Sequence, residues 1–390
     1  MRRTAVRELL QVTSRPDVIS FAGGLPATEL FPVNRVKEAV NAVLDRTGRQ
    51  ALQYAETEGI HGLRDWIARQ FSRSQFHVQR EHVFITSGGQ QALDLVGRVL
   101  LDEGDRVIVE NPTYLALLSA WRPLGVEFLP VPSDKDGMQV DKLEPLLKQH
   151  PKLIYLVPNF QNPQGTTLTQ ARRERLVALA QEYGIPLVED NPYGDLRYDG
   201  NALPHLLALA GARGSASGFE RLVIYTGTFS KVLMPGLRVG WVIAAPEVIE
   251  KLVQAKQAAD LHTSTLSQYV ALELVGRGFL EQFLPVLRQN YGERRDLMLA
   301  ALARHFPEDV TWTRPDGGMF LMVTLPECMD AGAILPHALQ QKVAFVPGEE
   351  FHLNGKGRNT MRLNFSNATP DKIETGIARL GAVVKNFAKT

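Results

Sequence analysis

From about residue 82 the chain alternates short β-branched runs with longer amphipathic stretches, and this alternation limits the fold more than any other feature. HVFITSG, DRVIVENP, VEFLPVP, KLIYLVPN and IPLVEDNPYG read as strands, each closed by Pro, Gly or Asn. Between them QQALDLVGRVLL, TYLALLSAWRPLG, VDKLEPLLKQ and TQARRERLVALAQEYG read as helices. Strands joined through amphipathic helices pair in parallel, with the helices covering the faces of the sheet. RLVIYTGTFSK and LRVGWVIAA follow with no room for a helix between them, so this last pair is expected to be antiparallel and the sheet mixed.

After Pro246 the texture changes to long helical periodicity, through EVIEKLVQAKQAAD and then FLEQFLPVLRQNYGERRDLMLAALARHF, which is long enough to join two domains. From Val310 short strands return around TWTRPDGGMFLMVTL, AFVPGEEF and NTMRLNFS, and PDKIETGIARLGAVVKNFAK closes them as a helix, which predicts a smaller α+β unit. A chain of 390 residues is expected to hold two or three domains, and 44% hydrophobic with 22% charged residues is an ordinary globular balance. The 43 basic and 42 acidic residues leave a net charge of +1, so there is no whole-chain field to gather nucleic acid or an anionic membrane surface. No apolar run approaches the ~18 residues of a membrane helix. Cys328 is the one cysteine, which excludes an intramolecular disulfide and, with no short His/Cys spacing, argues against a zinc site. Arg2, Arg3, Arg7 and Arg15 raise a mitochondrial transit peptide, against which Glu8 and the immediate run into structured-looking sequence count. The chain is read as cytoplasmic.

Ligands of open α/β sheets bind beyond the carboxyl ends of the strands, so the residues there are the first candidates. ITSGGQQAL sets Ser87, Gly88, Gly89 and Gln90 between a strand and a helix start, either a phosphate cradle or a glycine turn capped by Ser87. IPLVEDNPYG ends in Glu189 and Asp190 with Tyr193 three residues on, either a carboxylate and phenol sharing a site or a capped turn. Asn162 in LVPNFQNPQG is a further strand-end polar group or an Asn-Pro turn. YTGTFSKVLMPGLRVGW places Lys231 among small and apolar neighbours beside Thr228 and Ser230. A desolvated lysine loses proton affinity and becomes an amine able to form a Schiff base. Arg238 lies seven residues on and could add a cation for a phosphate. Arg362 in MRLNFS stands amid apolar residues and needs a planar anion, either a ligand or an internal carboxylate. His61, His77, His82 and His262 lack ligand spacing and read as packed or solvated; Arg172, Arg173 and Arg175 read as the wet face of a helix.

Together SGGQQAL, NPTY, NPQG, DNPY, TFSK, GLRVGW and MRLNFS resemble the fold type I pyridoxal phosphate (PLP) aminotransferases of class I/II, in order and over nearly the whole chain. The opening RELLQVTSRPDVISFAGGLPATELFP looks like the 2-aminoadipate aminotransferase and kynurenine aminotransferase II branch. The resemblance implies an α/β fold of the PLP-transferase type I kind: a large domain with a mostly parallel seven-stranded sheet sandwiched by helices, and a smaller α+β domain. It places the large PLP-binding domain at 45–283, and the small domain, with an N-terminal substrate-covering segment, at 1–44 and 284–390. Lys231 would hold PLP through a Schiff base and act as base, Asp190 would face the pyridine nitrogen, Asn162 and Tyr193 the ring hydroxyl, and Tyr114 the ring face. Gly89, Gln90, Thr228, Ser230 and Arg238 would take the phosphate, with Tyr54 from a neighbouring subunit. Arg362, with the backbone of Gly24 and with Asn162, would hold the substrate carboxylate, and Arg7 would face the distal end of the substrate.

The reaction implied is transfer of the amino group of an L-amino acid (2-aminoadipate, aromatic or kynurenine, or branched aliphatic) to 2-oxoglutarate by a ping-pong mechanism, in a homodimer with shared sites. Two other readings stand beside it: a PLP-dependent lyase of the same fold, and a transcription regulator built on an aminotransferase-like body. The second needs a DNA-binding segment, for which a resemblance starting within the first ten residues is expected to leave no room. Gly89 departs from relatives that carry serine there, losing a hydroxyl from the phosphate cup, and some relatives carry more residues ahead of RELL.

Overall fold

The computed structural model describes residues 15, 17–72, 77–213 and 222–387. In chain order its strands are β1 (Ile19–Ser20), β2 (Val83–Thr86), β3 (Arg106–Asn111), β4 (Glu127–Asp134), β5 (Gly137–Met138), β6 (Leu153–Leu156), β7 (Leu187–Asp190), β8 (Val223–Thr228), β9 (Gly240–Ile243), β10 (Thr311–Trp312), β11 (Phe320–Thr324), β12 (Val343–Ala344), β13 (Val346–Pro347) and β14 (Thr360–Asn364).

The large sheet runs β2-β9-β8-β7-β6-β3-β4-β5. The pairs β3–β4, β3–β6, β6–β7 and β7–β8 are parallel, whereas β9 runs antiparallel to both β8 and β2. The seven strands expected from the sequence are all present, and β5 adds a two-residue return of β4. Every residue of β2, β6, β7, β8 and β9 is buried, as a sheet covered on both faces requires. β4 is half exposed and carries Pro130 and Pro132, tolerated there because only the short β5 lies outside it. Where β9 crosses the loop after β2, Gly240 leaves no room for a side chain: a Cβ would sit 2.8 Å from the Gly88 carbonyl carbon and 2.9 Å from the Gly89 nitrogen. Close backbone approach at this point packs that loop against the end of β9.

A second, antiparallel sheet, β10-β11-β14-β13, lies among helices Phe279–His305, Ala331–Gln340 and Pro370–Phe387. The 27-residue helix Phe279–His305 continues through Pro285, and the helix Val33–Ala51 breaks its regular dihedrals at Thr47. β1 pairs in parallel with β12, and the Asn364 amide donates to the Phe21 carbonyl at 2.8 Å, so the segment after β1 is laid along β14.

Two local expectations are corrected. VDKLEPLLKQ is not a full helix but a 3-10 turn, Val140–Lys142, and one helical turn, Glu144–Leu147, with Pro145 at its start. Of the arginines of TQARRERLVALAQEYG, Arg175 is exposed as expected, but Arg172 and Arg173 do not face solvent freely. Arg173 is fully buried and donates to the carbonyls of Leu168, Pro158 and Pro204 and to Asn159 Oδ1, while Arg172 forks onto Asp134 at 2.6 and 2.8 Å. A charge pattern on a helix cannot distinguish solvent from a set of loop carbonyls waiting for five donors.

Candidate active site

Asp190 is the last residue of β7 and Thr228 the last of β8, so both stand at the carboxyl edge of the sheet. Asp190 is 6% exposed, and its oxygens accept hydrogen bonds from Tyr155 Oη at 2.7 Å and Thr226 Oγ1 at 2.8 Å. Burial pushes this carboxyl up to about 6, against the pull of those two hydroxyls. Tyr155 in β6 and Thr226 in β8 come from the two strands that flank β7. Sequence reasoning does not reach them. The available signal is a lone phenol in the apolar β6, whereas Thr226 is one of three hydroxyl residues in β8 and does not stand out.

Three residues past β8, Lys231 turns into a cavity of about 310 Å³. Burial, and then the charges of Arg362 and Arg238, push its ammonium down to about 8. Its Nζ donates to the Gly24 carbonyl at 2.8 Å. The same cavity is lined by Gly24, Tyr114, Asn162, Tyr193 and Arg362, with Leu115, Ala116, Phe320 and Phe351 as its apolar wall. Burial raises the Tyr114 phenol to about 12 and the Tyr193 phenol well above its usual value, and the charge of Asp190 acts on both. Asp190 itself is not in the lining of this cavity; its charge acts on Tyr114 and Tyr193, which are.

Arg362 in β14 is buried; its Nη1 donates to Asn162 Oδ1 at 2.8 Å and its Nη2 to the Ala22 carbonyl. The guanidinium lies 4.4 Å from the Phe320 ring centre and 5.0 Å from that of Phe351. Burial lowers it to about 10. No carboxylate among the described residues pairs with it, and its Nε has no acceptor among them.

The remaining candidates form a second group at the end of β8. A Cβ at Gly89 would stand 3.8 Å from Thr228 Cβ, and Thr228 Oγ1 donates to Ser230 Oγ at 2.9 Å. Arg238 is exposed, donates to the Ser87 carbonyl at 3.2 Å, and lies so close over Gly88 that any side chain there would strike it. Gly88, at φ +85°, precedes the helix Gly89–Leu100, whose first N–H groups have no acceptor within the helix. Gln90 is exposed and bonds the Ala116 carbonyl at 3.2 Å. Tyr54 is 77% exposed, with its ring 5.7 Å from His262, and is not brought to this cavity by its own chain. Arg7 lies outside the described residues. A larger cavity of about 680 Å³, between Asp134, Arg197 and Thr313, takes in none of the anticipated residues.

A family model, aminotransferase class I and II, matches residues 16–380. The chain belongs to the class I and II aminotransferases. This aminotransferase is 45% identical to the 2-aminoadipate transaminase of Thermus thermophilus, over 99% of its own length and 95% of the relative's. It is 44% identical to aromatic-amino-acid aminotransferase 1 of Thermococcus litoralis, over 100% and 93%. Among solved structures, the alpha-aminoadipate aminotransferase LysN from Thermus thermophilus, complexed with N-(5'-phosphopyridoxyl)-L-leucine, is similar at a TM-score of 0.92 and 43% identity, covering 100% of this chain and 96% of that one.

The enzyme is PLP-dependent, and its residues fit that group. Asp190 is a buried carboxylate with no cation beside it among the described residues, suited to a protonated ring nitrogen. Arg238 faces no carboxylate among the described residues and stands beside free helix-start N–H groups, suited to a phosphate. Lys231 is an amine partly neutral near pH 8, suited to an aldehyde.

Proposed function

We propose that this protein transfers the amino group of an L-amino acid (2-aminoadipate, aromatic or kynurenine, or branched aliphatic) to 2-oxoglutarate, in two half-reactions through one site. The observation that carries this reading is Arg362, buried, stacked on an aromatic ring and without a carboxylate among the described residues, in the same cavity as Lys231. A forked guanidinium held this way binds the α-carboxylate that donor and acceptor share. Leu115, Ala116, Phe320 and Phe351 supply the apolar wall for an aromatic or aliphatic side chain; Arg7 is the cation proposed for a distal carboxylate.

When bound, PLP supplies the aldehyde carbon that carries the amino group and a ring that accepts the electrons of the broken Cα–H bond. Asp190 holds a proton at the pyridine nitrogen, keeping the ring electron-poor. Asn162 and Tyr193 donate to the ring hydroxyl oxygen, and Tyr114 covers the ring face. The phosphate is bound by the Gly89 and Gln90 amides, Thr228, Ser230 and Arg238, and by Tyr54 of a second copy, which makes the working unit a homodimer. Arg362, with Asn162 and the Gly24 backbone, fixes the substrate so that its Cα–H bond points off the ring plane. Lys231 would be the base that takes the proton from Cα and would return it on the cofactor side. The large unit is taken as 45–283 and the small one as 1–44 with 284–390, in a cytoplasmic enzyme.

Initial rates over a panel of amino donors and 2-oxoglutarate test this. Keto acid formation that requires the acceptor, with parallel double-reciprocal lines, is expected. Keto acid formed without any acceptor would mean a lyase, and intersecting lines would remove the two-stage scheme.

A further inference from the structure

Beneath the Ser87–Gly89 loop lies a polar cluster, built on a buried lysine and an aspartate a third exposed, to which nothing above gives a role. Lys256, in the helix Pro246–Ala259, has a side chain 0% exposed. Its ammonium donates to Asp260 Oδ1 at 2.7 Å, to Asp260 Oδ2 at 3.0 Å, and to Gln91 Oε1. Asp260 Oδ2 in turn accepts from Gln91 Nε2 at 2.7 Å and from Ser87 Oγ at 3.0 Å. Gln91 Oε1 also accepts the Ser87 amide at 2.7 Å. The Gln91 amide therefore has only one workable orientation: its oxygen meets two donors and its nitrogen a carboxylate.

Ser87 is gripped at its amide and its hydroxyl, and its carbonyl receives Arg238. Burial works against the charge on Asp260, but Lys256, Gln91 and Ser87 outweigh it and hold the carboxyl below its usual range. The chain turns sharply just after Asp260, with Leu261 at φ +65° and the His262 amide bonded to the Asp260 carbonyl at 2.8 Å. A buried ammonium is costly unless its hydrogen-bonding positions are used. Those of Lys256 go to Asp260 and Gln91, and both of these bond Ser87.

We infer that Lys256 and Asp260 are positioning residues for the cofactor phosphate: acting through Gln91 and through the direct bond of Asp260 to Ser87, they set the Ser87–Gly89 loop and the Arg238 guanidinium before the phosphate arrives. Neither touches the reacting atoms. Preorganised donors bind an anion without the cost of ordering a loop, so the pair acts on phosphate affinity rather than on the chemistry at Cα.

The inference rests on the phosphate site proposed above, and the test separates the two. Full-length protein resolved of its cofactor is titrated with PLP and, in parallel, with pyridoxal, which has no phosphate, each followed by visible absorbance. For Lys256→Met the PLP Kd is expected to rise on the order of tenfold, the scale of one buried polar group left unpaired, while the pyridoxal Kd stays within about twofold. Asp260→Asn should weaken PLP in the same way, and the double variant should bind no more weakly than the worse single one, because the pair acts as a unit. Where Lys256→Met fails to fold, Gln91→Ala, which leaves the ion pair in place, carries the same expectation. An unchanged PLP Kd, or equal losses for PLP and pyridoxal, overturns the inference. Wild-type protein that takes up no PLP would overturn the functional reading and this inference with it.

Discussion

Replacing Asp190 by asparagine should make the cofactor-free protein more stable while disabling it. The carboxyl is 6% exposed and rises from 3.8 to about 6 on folding, which costs about 3 kcal/mol at pH 7 at 1.36 kcal/mol per pH unit. Between those values the folded protein binds a proton that the unfolded chain has lost, so stability falls as pH rises from about 4 to 6 and is flat above. Asparagine carries no such charge, and the Tyr155 and Thr226 hydroxyls can turn to serve its amide. Urea denaturation of both cofactor-free proteins between pH 4 and 8 should show the variant's advantage absent near pH 4 and grown to about 3 kcal/mol by pH 7. Amino transfer should fall at least about a hundredfold, the scale of losing one preorganised electrostatic partner. A stability difference that is constant with pH, or a variant less stable at pH 7, would refute the argument that Asp190 is kept buried at the expense of folding.

Three other changes test the site from different sides. Lys231→Ala should give protein without the visible absorbance of bound PLP, and PLP that desalting removes; an unchanged spectrum would contradict the assignment of the lysine. Gly89→Ser has ordinary contact distance to Thr228, so the serine should fit, keep the melting temperature within ~2 °C, and tighten PLP severalfold through one more hydroxyl; weaker PLP binding would contradict the cup geometry. Arg362→Lys keeps a charge but loses the fork on Asn162 and Ala22, so donor KM should rise roughly tenfold to a hundredfold while the absorbance of bound PLP persists; an unaltered KM would remove Arg362 from substrate binding.

Much of the site is legible along the chain because strand ends carry short-range signals. A carboxylate closing an apolar run, a lysine amid small residues and an arginine inside a strand each stand out against a period-two or apolar background, and Asp190, Lys231 and Arg362 are recognisable that way. Lys256 is the opposite case. Nothing in EVIEKLVQAKQAAD singles it out, and Arg173 reads as part of a wet face, yet each is fully buried among oxygen acceptors. Helical periodicity records which face is apolar, and a long side chain on the boundary can go to water or to a buried acceptor with the same local pattern.

The order of strands and helices, the antiparallel return of β9 and the residue types at the strand ends follow from the chain itself, since backbone propensity, turn chemistry and connection length act between near neighbours. Tertiary structure decided the rest. It brought Gly24 to Lys231 across 207 positions and Asn162 to Arg362 across 200, clasped Asp190 between hydroxyls of two other strands, and left Arg362 without a carboxylate among the described residues. Proton affinities and hydrogen bonds depend on which groups meet in space and on how much water is excluded there, and neither quantity is written in local sequence.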